Sequence, residues 1–315
     1  MIHVVLRRLS RVVPVLLIVS FLTLGMSSLL PGGPAVALVG DHATAADVAA
    51  VNHAYGFDSP LIVRYGRWMK NVAKGDFGES YRTHQKVRDA IVQRIPITLE
   101  LAIGAELIAL TLSILLGSIA AARAGSLLDR ILSGAMSWMV AVPGFLAALL
   151  LVYVFSLRLG WTPVTGWSNL SDGIGPNLRS AILPMSALAL PEIAAYQRIL
   201  RNDVLATLQE EYILMARSKG LSDWFILLRH ALRPSSFSLI TLSGVSFGRL
   251  IAGAVIVEQI FALPGLGQLV ARSVGEGRDF IMVQGIVMFI AIVYVSLNVL
   301  VDVLYGVVDP RVRTS

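Results

Sequence analysis

Residues 97–122 read ITLELAIGAELIALTLSILLGSIAAA, with Glu100 and Glu106 as their only ionisable side chains. A helix needs about 20 apolar residues to cross a hydrocarbon core of ~30 Å, and this run is long enough. Five further stretches satisfy the same condition: roughly 12–30, 131–157, 181–200, 236–257 and 281–304. The stretch 181–200 is interrupted by Pro184, Pro191 and Glu192. Proline is tolerated in a span where neighbouring helices re-satisfy the freed carbonyls, so a kinked, bundle-facing helix is expected there. The reading is an all-α integral membrane protein with six transmembrane helices.

Composition agrees with that reading. The chain has 315 residues, 56% hydrophobic and only 15% charged, with a mean hydropathy of +0.73. Soluble domains carry roughly 25% charged residues, and disordered chains are poor in apolar ones. The chain has no cysteine, which removes disulfides, thiolate metal sites and cysteine nucleophiles. Its net charge of +6 reads as cytoplasmic loop bias and not as a nucleic-acid footprint.

Arg7, Arg8 and Arg11 precede the first span and place the N-terminus inside. The inner segments also carry Arg123, Arg130, Arg198, Arg201, Arg217, Lys219, Arg229, Arg233, Arg311 and Arg313. The short outer loops carry Arg158, Arg179, Arg272 and Arg278. Both termini are therefore expected in the cytoplasm. The Arg-rich start and Ala35-Val36-Ala37 also fit a signal peptide with its cleavage site. The apolar run exceeds the usual ~7–15 residues of such a signal, and a retained helix is the reading adopted.

Two segments lie outside the bilayer. In 31–96, Asp58-Ser59-Pro60 predicts a helix running to about Lys74, with Leu61, Tyr65, Trp68, Met69 and Val72 on one face. Trp and Tyr there suit a membrane–water interface, as a cap on the bundle or as a docking surface. In 201–234, a helix is predicted over 204–219, with Gly220 as its left-handed C-cap. Ser222-Asp223 then caps a second helix to Arg233, and Pro234 opens the fifth span. Lipid does not demand such a helix–turn–helix, so a protein partner is expected.

The run Glu211-Tyr212-Ile213-Leu214-Met215-Ala216-Arg217-Ser218-Lys219-Gly220-Leu221-Ser222, followed by His230-Ala231-Leu232-Arg233-Pro234, resembles the cytoplasmic signature loop of bacterial ABC importer permeases. It is similar in particular to the dipeptide/oligopeptide/nickel branch. Of the general Glu-Ala-Ala triplet, only the last alanine, Ala216, is matched. The resemblance extends along the chain through Pro31-Gly32-Gly33-Pro34, Asp58-Ser59-Pro60-Leu61, Gly75-Asp76-Phe77-Gly78-Glu79-Ser80 and Arg94-Ile95-Pro96. It continues through Val257-Glu258-Gln259-Ile260-Phe261, Pro264-Gly265-Leu266-Gly267 and Asp309-Pro310-Arg311.

The resemblance implies a type I importer permease: an N-terminal transmembrane helix (1–30), an extracytoplasmic segment (31–96) and a five-helix core (97–315) with a coupling loop at 201–234. It implies one of two homologous permease subunits, two ABC ATPase subunits and an extracytoplasmic peptide-binding protein as partners. ATP and Mg would sit on the ATPases, and Glu211, Tyr212, Ala216, Arg217, Lys219, Gly220 and Leu221 would meet them. The sequence holds no G-x-x-x-x-G-K-[ST] phosphate loop and no Gly-Lys pair, so no ATP site of the usual kind is expected here.

Glu106, Glu192 and Arg249 are ionisable groups inside spans and thus functional candidates. Glu106–Arg249 is allowed by depth, with Glu192 as competitor, and the groups either lock helices together or line a path. Gly244 and Gly248 permit close helix approach. Pro264, Gly265 and Gly267 form an outer turn, plain or gating. Membrane enzymes are not indicated, since H-E-x-x-H is absent and the histidines (3, 42, 53, 84, 230) lack metal spacing. An ion-gradient-driven secondary transporter is the alternative function, disfavoured because the two halves show no obvious repeat.

Overall fold

The computed structural model describes residues 2–28, 33–39, 44–275 and 278–308. Pro31, Gly32, His42 and the closing run Asp309 to Arg313 lie outside the described residues. In chain order the helices are α1 (Ile2–Ser28), α2 (Gly33–Val39), α3 (Ala45–Tyr55), α4 (Leu61–Val72), α5 (Val87–Ala122), α6 (Leu127–Ala141) and α7 (Gly144–Leu151). They continue with α8 (Ile174–Leu208), α9 (Glu211–Ser218), α10 (Asp223–Phe225), α11 (Leu232–Ile260), α12 (Leu266–Gly275) and α13 (Phe280–Val308). Two stretches of wider, π-helical pitch extend α7 (Val152–Arg158) and join α10 to α11 (Ile226–Ala231). No strand occurs among the described residues.

Four helices are long and apolar enough to span: α5, α8, α10 running into α11, and α13. The third sequence span, 131–157, is not straight. α6 and α7 meet at 107°, because Val142 before Pro143 takes an extended conformation (φ −82°, ψ 124°). A residue preceding proline is pushed out of the helical region, and proline has no N–H to continue the ladder. The described apolar part of α1, Val13–Met26, is shorter than a full span. Four spans thus stand on length and composition, or five if the bent pair is one.

The chain divides into two compact units, 1–98 with 264–299, and 99–263 with 300–315. In the first, α4 lies along α1: the Tyr65 hydroxyl donates to the Leu17 carbonyl (3.1 Å) and pairs with Ser20 Oγ (2.9 Å). Val87, Ala90 and Ile91 of α5 pack with Leu266 of α12 and with Met282 and Ile286 of α13. A Cβ on Gly285 would come within 2.6 Å of Val87, so only glycine permits that approach. Ser80 Oγ donates to the buried Asp279 (2.5 Å) and accepts from the amides of Arg82 and Thr83. The Asp76–Ser80 motif is thereby tied to the entry of α13.

In the second unit α8 is the central helix. Of its most apolar window 61% is buried, against 28–33% for the other three spans. Pro184 and Pro191 both lie inside it without ending it. It packs on α6, α7 and α11. Gly104 of α5 sits under Met185 of α8, and a Cβ on Gly117 would press on the Gln197 carbonyl at 3.3 Å.

Candidate functional site

The loop expected to couple to a partner folds back on itself. α8 ends at Leu208, not at 219, because Glu210 turns extended (ψ 148°) and takes the position before α9. Glu211 then occupies the first turn of α9, where a carboxylate suits the helix dipole. At the far end Gly220 adopts φ +78°. Its N–H reaches Arg217 O (2.9 Å), and the Leu221 N–H reaches Ala216 O (3.4 Å). Those two bonds form a Schellman cap, which favours glycine at that position. Ser222 Oγ accepts from the Phe225 amide at 3.4 Å and starts α10.

The second helix does not stop at Arg233. It continues through the wide turn Ile226–Ala231 into α11, giving one 38-residue helix from Asp223 to Ile260. A proline withholds the N–H that the carbonyl four residues earlier would receive, and its ring crowds that carbonyl. The widened turn makes room for Pro234, and the Tyr212 hydroxyl donates to the His230 carbonyl at 3.2 Å. Two motifs quoted from the sequence are thus one contact.

Ile213 and Ala216 face inward against Ile226 and Leu208. Of the expected coupling residues, Ala216 is therefore a packing residue. Glu211, Tyr212, Arg217, Lys219, Gly220 and Leu221 are exposed, and Arg217 pairs with Asp223 across the turn at 3.4 Å. Leu214, Met215 and Trp224 are 58, 61 and 57% exposed. An apolar group of this kind, rimmed by Arg217 and Lys219, has the make-up of a docking surface.

Inside the span region the three ionisable groups are partitioned. Tyr196 OH donates to both carboxylate oxygens of Glu106 at 3.0 Å. Arg249 Nη2 donates to Glu192 (3.2 Å) and to Ser246 Oγ (2.6 Å). Arg249 therefore takes Glu192, the competitor, and not Glu106. Glu192 is buried while 54% of the Arg249 side chain is exposed. Both line a cleft of about 260 Å³ with Gly144, Phe145, Leu188 and Ile256.

The contact that sequence reasoning missed is Asp129–Arg201. Arg201 Nε and Nη2 donate to the two Asp129 oxygens at 2.6 and 2.7 Å, a two-pronged pairing between α6 and α8. The Gly125 amide also donates to Asp129 (2.9 Å), and Ser126 Oγ accepts from its amide (3.3 Å). Ser126-x-x-Asp129 ahead of an apolar run is a helix-start pattern that places Asp129 at the entry of α6 but does not name its partner. Among the described residues no group of three His, Asp or Glu side chains could hold a metal. In the outer turn only Pro264 is exposed. Gly265 and Gly267 are buried, and the Leu266 amide donates to Thr98 Oγ1 at 3.0 Å.

A family model described as the binding-protein-dependent transport system inner membrane component matches residues 113–314, and its N-terminal counterpart matches 1–102. A putative peptide transport system permease protein of Brucella abortus (strain 2308) is 41% identical over 312 residues, 98% of each chain. The di/tripeptide transport system permease protein of Pseudomonas aeruginosa (strain UCBPP-PA14) is 34% identical over 99% of each. The glutathione transport system permease protein of Salmonella paratyphi A (strain ATCC 9150 / SARB42) is 34% identical, also over 99% of each. A chain of a methionine ABC transporter, solved in inward-facing conformations, shares the fold: TM-score 0.58 at 15% identity, over 70% of this chain and 96% of that one.

Proposed function

The chain belongs to the inner membrane components of binding-protein-dependent transport systems, and on that premise we propose that it forms half of the translocation path of an ATP-driven importer for di- and oligopeptides. The peptide cargo is carried over from relatives named for peptides and for glutathione, itself a small peptide. A second, homologous permease subunit supplies the other half, and an extracytoplasmic binding protein delivers the peptide. Two ATPase subunits hold ATP and Mg, and this chain binds neither. Six spans with both termini cytoplasmic complete the reading, with α1 as the first and the bent α6–α7 pair as the third.

The observation that carries the proposal is the turn between α9 and α10. It is rigidly capped at Gly220 and braced by Tyr212, yet it presents Leu214, Met215 and Trp224 to solvent. A nucleotide-driven movement of an ATPase seated there reaches α8 and α11 directly, since the turn joins them. Arg249 and Glu192 line the path, and Pro264, Gly265 and Gly267 shape its outer approach.

Purification from the native membrane in mild detergent tests this. Co-isolation of a second permease-like chain and ATPases with phosphate loops is expected, with peptide uptake by the reconstituted assembly requiring ATP. A chain isolated alone that moves solute on an ion gradient would overturn the proposal.

A further inference from the structure

The unit formed by 1–98 and 264–299 contains a cleft that peptide transport does not account for. It measures about 280 Å³ and lies between the outer part of α1, the α3–α4 segment and the start of α13. Arg64 and Arg67 enter from α4, Tyr81 closes one side, and Gln284 comes from α13. Among the described residues no acidic side chain lines it. Asp279, next to the lining residue Phe280, is engaged by Ser80 and the Met282 amide.

Each of these groups offers a proton, and among the described residues no charged acceptor is bonded to any of them. Arg64 Nη1 donates to the Ser28 hydroxyl at 3.3 Å and lies over the Phe57 ring, 4.7 Å from its centre. Arg67 donates to the Ser59 hydroxyl. Both recorded partners are neutral. Partial burial lowers the Arg64 guanidinium's hold on its proton, as happens to a cation short of counter-charge. Burial pushes the Tyr81 phenol up, so it stays a neutral hydroxyl donor. Gln284 is 5% exposed, and its Nε2 has no acceptor among the described residues. Leaving a buried donor unmade is costly, which marks the position as built for an acceptor.

We propose that this cleft binds the phosphate headgroup of a membrane phospholipid. Guanidinium pairs suit phosphate oxygens geometrically as well as electrostatically. The position selects lipid over a free anion. Leu24, on one wall, belongs to the apolar stretch Val13–Met26, while Phe280 and Ile281 open the apolar helix α13. The cleft thus spans the change from cationic to acyl-like surroundings, and the neighbouring Ile62 is 76% exposed on α4. The volume suits a headgroup, below the ~300–1,000 Å³ of sites that enclose whole ligands.

Native mass spectrometry of the complete importer, released from bilayer discs of phosphatidylethanolamine and phosphatidylglycerol, tests the site without reference to cargo. Failure here leaves the peptide reading standing. The wild type should retain one tightly held phospholipid that millimolar inorganic phosphate does not displace. Arg64→Gln with Arg67→Gln should lower its occupancy about ten-fold. Gln284→Leu, which removes a donor without changing charge, should lower it less, and lysine at both arginine positions should restore part of it. Equal retention by all variants would overturn the proposal. So would displacement of the lipid by inorganic phosphate, which would assign the cleft to a free anion.

Discussion

Single residues of the helix bundle divide into those that hold it together and those that serve it. Asp129 and Arg201 meet through two short bonds, with 6 and 23% of their side chains exposed. Breaking such a pair by removing one partner strands a buried charge and costs roughly 3–5 kcal/mol. Asp129→Asn should therefore lower the stability of the assembled importer by about 3 kcal/mol, the low end because Arg201 keeps some water. Adding Arg201→Gln should cost less than the two single changes summed. A thermal-unfolding cycle in detergent checks both statements. Arg249 differs, because its single ion-pair contact, to Glu192 at 3.2 Å, and its bond to Ser246 hang from a half-exposed side chain, and an ion pair open to water is worth at most about 1 kcal/mol. Arg249→Gln should leave unfolding nearly unchanged yet reduce ATP-driven peptide uptake about ten-fold, a rate effect of ~1.4 kcal/mol. Unfolding lowered as much as by Asp129→Asn would make Arg249 a lock and not a path residue.

At the scale of elements, Gly220 shows how a local sequence signal becomes a working part. Nothing lies within 4 Å of a Cβ built there, so a substitution meets strain alone and no clash. Gly220→Ala should cost about 1–2 kcal/mol, the penalty for an L-residue in the left-handed region. Gly220→Pro cannot reach φ +78° and removes the N–H bonded to Arg217. It should leave membrane insertion intact while ATP hydrolysis no longer yields uptake; normal uptake would refute the coupling role. The glycine, the capped start at Ser222 and the helix after Pro60 were legible because each rests on local backbone chemistry. The breaks were less so. Val142-Pro143 bends a span that hydropathy alone reads as continuous, whereas Pro234 does not break its helix, because the wide turn before it and Tyr212 absorb the damage. The pairing of Arg249 with Glu192 over Glu106 depends on helix rotation, which depth counting does not contain. Asp129–Arg201 spans 72 positions in the chain, beyond the reach of any local pattern.

For the molecule as a whole, the question is what covers its apolar surface. Only about a third of the most apolar windows of α5, α11 and α13 is buried within the chain, so lipid or a second subunit meets the rest. Arg249 separates the two possibilities on its own face. A guanidinium facing acyl chains near mid-span is costly, so the face that carries it, with Glu192 and Ile256, must meet water or protein. Leu112 and Leu115 on α5 are exposed and apolar and suit lipid. Because the chain contains no cysteine, single replacements report cleanly. In the assembled importer, Ile256→Cys should react with a small hydrophilic thiol reagent at least about ten-fold faster than Leu115→Cys, since the thiolate is the reactive form and forms readily only where water reaches. The rate at Ile256 should also change when ATP analogues close the ATPases, because the turn at Gly220 is continuous with the helix that carries it. Equal rates at the two positions would place the Arg249 face against something other than the transport path.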